Sequence, residues 1–232
     1  MGTVEFLENS VFFGVIISLG AYGAGMFLKK KTGLAVFNPL LIAVAIVIAF
    51  LAVTKTDYQK YYAGAKYISY LLTPATVALA IPLYRQFELL KHNIKAILCG
   101  IFSGAVTSFL CVLAMAFIFK FSHEEYVTFL PKSITTAIGM GVSEELGGYV
   151  AITAAIIIIT GIFGNIIGET VFKIFKITEP VAKGIALGTS SHAIGTAKAM
   201  ELGETEGAMS SLSIVICGLF TVIGSMIFAK FL

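Results

Sequence analysis

Six stretches of this chain are long enough to cross a lipid bilayer without meeting an aspartate, glutamate, lysine or arginine: Asn9 to Leu28, Thr32 to Thr54, Tyr67 to Tyr84, Ala96 to Phe119, Leu146 to Gly168 and Gly207 to Ala229. A transmembrane helix needs about 20 mostly apolar residues to cross a hydrocarbon layer of about 30 Å. Hydrophobic residues make up 58% of the 232 and charged ones only 12%, where an ordinary soluble domain carries about 25% charged residues. A chain this short cannot enclose so much apolar surface in water, so most of it is solvated by lipid. The expected fold is all-α: a polytopic membrane protein with about six full transmembrane helices plus two broken or re-entrant segments, forming one domain over 1–232.

Charge narrows the class further. The net charge is +3 and no basic tract is long enough to follow a phosphate backbone, which excludes nucleic acid as a partner. Cys99, Cys111 and Cys217 lie inside apolar stretches without metal-ligand spacing, so they read as small packing residues, with no metal and no cofactor implied. Glu5 and Glu8 precede the first apolar run and Lys29, Lys30 and Lys31 end it; that is the pattern of a retained helix and not of a signal peptide. The positive-inside rule places that lysine run, with Arg85, Lys91 and Lys95, on the cytoplasmic side. Lys173, Lys176 and Lys183 join them only if the region around Ser133 dips into the membrane and returns to the side it came from. Lys55 and Lys60 fall on the outer side and run against the rule.

Two shorter charge-free stretches, Ser133 to Ser143 and Gly184 to Ala197, are rich in glycine, serine and threonine. The chain also matches itself at an offset of 57 residues, pairing Pro74 with Pro131, Thr76 with Ser133, Ala80 with Ala137, Glu88 with Glu145 and Gly104 with Gly161. The expected units of this internal inverted repeat are about 32–120 and 121–232. Paired segments interrupted by glycine and proline are the sequence pointer to transporter binding sites, and the repeat predicts that the segments around Pro74 and Pro131 face each other near the bilayer midplane. Pro131 is expected to start a helix. Lys132 then sits beside the hydroxyls of Ser133, Thr135 and Thr136 at a helix N-terminus, an anion-binding arrangement. A lysine at membrane depth costs about 2.5–3.5 kcal/mol on insertion scales, which an anionic ligand would offset; the alternative is that Lys132 snorkels to the interface.

In the second island Ser190, Ser191, His192 and Thr196 lie between glycines. His192 suits carboxylate binding, proton relay or a hydrogen bond to a neighbouring helix. Glu144 and Glu145 are further proton-coupling candidates, with a solvated helix end as the alternative. Glu201, Glu204 and Glu206 read as a solvated turn before the last span. Ser190 or Ser191 with His192 makes no hydrolytic pair, because neighbouring helical positions diverge by about 100° and no carboxylate lies within a turn to orient the imidazole. No enzymatic activity is expected.

Three stretches carry a resemblance: LPKSITTAIGMGVSEELGG at 130–148, ITGIFGNIIG at 159–168, and the run EPVAKGIALGTSSHAIGTAKAMELGETEGAMSSLS at 179–213. Through them the chain resembles the LrgB/CidB antiholin-like family, which is related to the C-terminal half of the plant plastidial glycolate/glycerate translocator. One departure is Ala137, where the family often has proline. The resemblance implies transport of small 2-hydroxy or 2-oxo monocarboxylates, glycolate, glycerate or pyruvate. It also implies the alternative carried by the name antiholin, regulation of murein hydrolase export and cell lysis through a small LrgA/CidA-like membrane partner. The expected location is the bacterial cell membrane, as a homo-oligomer. The residues expected to hold a carboxylate are Lys132, Ser133, Thr135, Thr136, Ser190, Ser191, His192, Thr196 and Thr76.

Overall fold

A computed structural model describes Ser10 and residues 12–34, 37–78 and 80–232. These are helical throughout and divide into two compact units, 1–78 and 79–232.

In the first unit α1 (Phe13–Thr32) packs on α2 (Pro39–Thr54) and on α3 (Tyr58–Ser69), and α4 (Leu72–Ala78) follows. Each boundary has a local cause. Lys29–Lys31 fill the last turn of α1 and favour the negative end of its dipole, and Gly33 ends it in the left-handed region at φ 67°. The Asn38 side chain accepts from the Leu40 and Leu41 amides at 2.8 and 3.2 Å, with Pro39 as first helical residue. This cap corrects the expected span from Thr32 to Thr54, for α2 keeps only 16 of those residues, about 24 Å of helix. The run Tyr67 to Tyr84 is likewise not one helix. It is shared among the end of α3, α4, and a further short helix, α5 (Ala80–Arg85).

The second unit holds α5, α6 (Phe87–Phe119), α7 (His123–Phe129), α8 (Thr136–Glu145), α9 (Val150–Ile174), α10 (Pro180–Leu202) and α11 (Glu204–Phe228). Among the described residues α6, α9 and α11 are the three helices long and apolar enough to cross a membrane. α6 and α11 run in the same direction: Phe102 meets Phe220 edge-on at 5.5 Å and Phe109 stacks on Phe228 at 4.7 Å. α11 starts beside Arg85, whose guanidinium lies 3.3 Å from Glu204. We call this the basic end, since Lys91, Lys173, Lys176 and Lys183 gather there too.

Two elements turn back on themselves. α7 begins at the opposite end with a capping box between Ser122 and Glu125. Pro131 stops it, because a proline offers no N–H to continue the ladder. The chain then turns, with the Lys132 amide bonded to the Phe129 carbonyl and the Ile134 amide to that of Pro131. α8 begins only at Thr136. Pro131 is thus in a turn and does not start a helix, so Lys132 does not sit at a helix N-terminus. α8 then returns alongside α9. The Tyr149 amide bonds Thr128 Oγ1 at 2.8 Å, and Thr153 Oγ1 lies within hydrogen-bond distance of Thr128 O, at 3.0 Å, and of Ser143 Oγ, at 2.7 Å. The segment from 123 to 149 therefore leaves from the end at which it entered, and α9 runs back toward the basic end, the direction that the positions of Lys173, Lys176 and Lys183 favour.

α10 enters from the basic end and also turns back. Its break is His192, at φ 43° and ψ −133°, a region that costs a non-glycine residue about 1–3 kcal/mol. The reversal brings Leu187 and Ala199 into one cluster with Phe172 and lays Gly195 against the Leu187 carbonyl. The chain exits at Leu202, where Gly203 alone separates it from α11. Glu206 is consequently buried in the first turn of α11, at 8% exposure, and is not part of a solvated turn.

Candidate functional site

The two broken segments enter from opposite ends, and their turns reach the same level of the second unit. Ser133 Oγ, from the first turn, lies 3.1 Å from Ser108 Oγ in the body of α6. From the second, the Thr189 carbonyl accepts from Cys217 Sγ of α11 at 3.7 Å. Ile134 and Cys217 belong to one core cluster with Ile97, Ile101 and Met209. Between α6 and α9, floored by the first arm of α10, is a cavity of about 970 Å³. Its lining extends from Leu89 and Glu179 at the basic end to Lys132, Ser133 and Cys111.

Glycine makes the space. Gly100 and Gly104 on α6 and Gly164 and Gly168 on α9 line the cavity, and a side-chain carbon at Gly164 would collide with Ser191 Oγ. Hydroxyls supply its polarity, and many of their protons are already committed. Ser103 donates to the Gly100 carbonyl, Thr107 to Ser103 and Ser190 to Ala186, at 2.7–2.9 Å. These groups turn lone pairs to the cavity. The strongest donor left is the Lys132 ammonium, which is bonded to Ser133 Oγ at 3.1 Å and pairs with no carboxylate among the described residues. Thr189 Oγ1, also in the lining, is buried without a hydrogen-bond partner. A half-buried ammonium beside a hydroxyl and an unused hydroxyl have the chemistry to hold a small anion.

Of the residues named from the sequence, Lys132, Ser133, Ser190 and Ser191 line the cavity. Ser190 and Ser191 meet at 3.0 Å. Thr135 and Thr136 begin α8, half-buried, outside the lining. His192 is 3% exposed and its Nε2 faces the Ile157 carbonyl of α9 at 2.9 Å, again outside the lining. Thr196 donates to the His192 carbonyl and meets Ser210 Oγ at 2.7 Å. Together with Asn165, which donates to the Ile194 carbonyl at 3.0 Å, these groups hold the turn of α10. Glu144 and Glu145 are exposed at the end of α8. Thr76 is in the first unit, and its side chain lies outside the described residues. Sequence reasoning missed Ser103, Thr107 and Ser108 of α6 and Thr160 of α9. The available signal was their helical spacing with Gly100 and Gly104 on one face of α6.

The LrgB-like family matches residues 18–231. The "Antiholin-like protein LrgB" of Bacillus subtilis is 39% identical over 222 residues, covering 95% of this chain and 96% of that protein. Proteins of the same description from Bacillus cereus and Bacillus anthracis are 38% identical with the same coverage. No solved structure matches the chain.

Proposed function

We propose, for a chain that belongs to the LrgB-like family of antiholin-like membrane proteins, that the cavity of the second unit binds short 2-oxo or 2-hydroxy monocarboxylates and carries them across the bacterial cell membrane. The observation behind this reading is Lys132, an ammonium with no carboxylate partner among the described residues, at the inner end of a hydroxyl-lined cavity. A pocket of about 970 Å³ is at the upper end of the size that holds drug-like ligands. A small acid fills only its inner end and the rest serves as an aqueous vestibule. In this reading Lys132 holds the carboxylate, and Ser133, Ser190 and Ser191 serve the 2-oxo or 2-hydroxy oxygen. His192 and Thr196 keep the turn in shape, and a discontinuous element from each end supports alternating access.

A second reading has the better support from the relatives' names: an antiholin-like regulator of murein hydrolase export and lysis, acting on a holin-like membrane partner and needing no substrate. One experiment separates the two. Purified protein in proteoliposomes is expected to take up labelled pyruvate or glycolate, at a rate well above protein-free liposomes. In cells lacking the endogenous gene, the Lys132→Ala variant is expected to fail wherever the parent restores a phenotype. No uptake, together with full restoration of controlled autolysis by Lys132→Ala, supports the regulator and removes the carrier.

A further inference from the structure

A second, smaller pocket of about 540 Å³ lies at the basic end of the second unit, where the last turn of α9, residues 175–179 and the start of α10 come together. Its wall is of two kinds. Phe172, Ile177 and Leu202 are apolar, and Lys173, Lys176 and Lys183 are cationic. Glu169, the carboxylate of this wall, is engaged by Lys198 at 2.5 Å and lies 3.9 Å from Lys173. Lys176 and Lys183 have no ion pair among the described residues. Lys176 is set beyond the end of α9 by a left-handed backbone, φ 53°, while Lys183 belongs to the first turn of α10. Ammonium groups from two helices and their link thus share one pocket, with an apolar floor beside them.

We infer that this pocket binds the phosphate of an anionic phospholipid, with the first carbons of its acyl chains against Phe172, Ile177 and Leu202. The lysines neutralise a phosphodiester. The basic end is the cytoplasmic one by the positive-inside rule, and basic pockets between helices on that side are where anionic headgroups bind. A soluble phosphate offers the lysines the same chemistry but leaves the apolar floor uncovered, which favours the lipid. The inference rests on neither reading of the function.

The test titrates fluorescent phosphatidylglycerol into the full-length protein in neutral detergent, with unlabelled phosphatidylglycerol, phosphatidylcholine and inorganic phosphate as competitors. Phosphatidylglycerol is expected to displace the probe at least tenfold better than phosphatidylcholine. Each of K173Q, K176Q and K183Q is expected to weaken binding roughly fivefold, whereas the triple lysine-to-arginine variant keeps it. Because Lys173 and Lys176 are exposed and Lys183 is only half-buried, the melting temperature of each variant should match the parent. Equal displacement by the two lipids, or a triple glutamine variant that binds like the parent, would overturn the inference. Displacement by inorganic phosphate as effective as by phosphatidylglycerol would overturn the lipid as the source.

Discussion

Lys132→Ala is expected to lower carboxylate affinity ten- to hundredfold, or to abolish uptake, in protein that still expresses and folds. A charge-assisted hydrogen bond lost from the site typically forfeits about 1.5–3 kcal/mol, which gives that range. Folding should survive because the ammonium contributes one hydrogen bond to Ser133 and no ion pair among the described residues. Removing a half-buried charge with no carboxylate partner among the described residues relieves part of a desolvation cost, so the melting temperature should stay level or rise slightly. Lys132→Arg should rescue only in part, since a planar fork does not replace a compact ammonium in a turn this tight. The readouts are the apparent KM for labelled acid in proteoliposomes and the thermal midpoint of the same preparations.

The second large effect is on the turn of α10. Gly195→Val places side-chain carbon against the Leu187 carbonyl and 2.7 Å from Ser191 Cβ. Backbone cannot give way as a flexible side chain can, so the two arms must separate. Overpacking of this kind costs about 1–3 kcal/mol, occasionally more. For a unit of this size that is a drop of roughly 2–12 °C in the melting temperature. The loss should take uptake with it, because Ser190 and Ser191 belong to the displaced arm. Gly141→Ala is the matched control: a Cβ there meets nothing within 4 Å, so stability and uptake should equal the parent's. A Gly195→Val protein as stable as Gly141→Ala would mean that the arms do not pack closely.

The broken segments are legible in the sequence because their chemistry contrasts with their surroundings. Serine, threonine and glycine at 133–143 and 184–197 do not suit a lipid-facing position as leucine does, and Lys173, Lys176 and Lys183 favour a first segment that returns to its own side, against the opposite pull of Lys55 and Lys60. The role of Pro131 is not legible from the same residues. Proline suits both the first turn of a helix and the point just past its end, and here the preceding Ser122-capped α7 sets which. His192 illustrates a different limit. A polar residue in an apolar chain signals that it has a partner, but the partner is the Ile157 carbonyl, 35 residues away in the chain, and no local pattern distinguishes that from a ligand. The α6 hydroxyls do not stand out, because Ser103, Thr107 and Ser108 are uncharged and leave the apolar run unbroken. The Asn38-Pro39 pair within the second run is, by contrast, a legible helix-start signal.

The central claim is that the cavity ending on Lys132 is an aqueous carboxylate site reached from the basic end. Its most direct test is a single cysteine at Ser133, with Cys99, Cys111 and Cys217 replaced, in oriented proteoliposomes exposed on one side at a time to a membrane-impermeant thiol reagent. The cysteine should react faster from the side carrying Arg85 and Lys173, and saturating pyruvate or glycolate should slow that reaction. A cysteine that stays unreactive from both sides, or whose labelling rate neither acid changes, would contradict the claim.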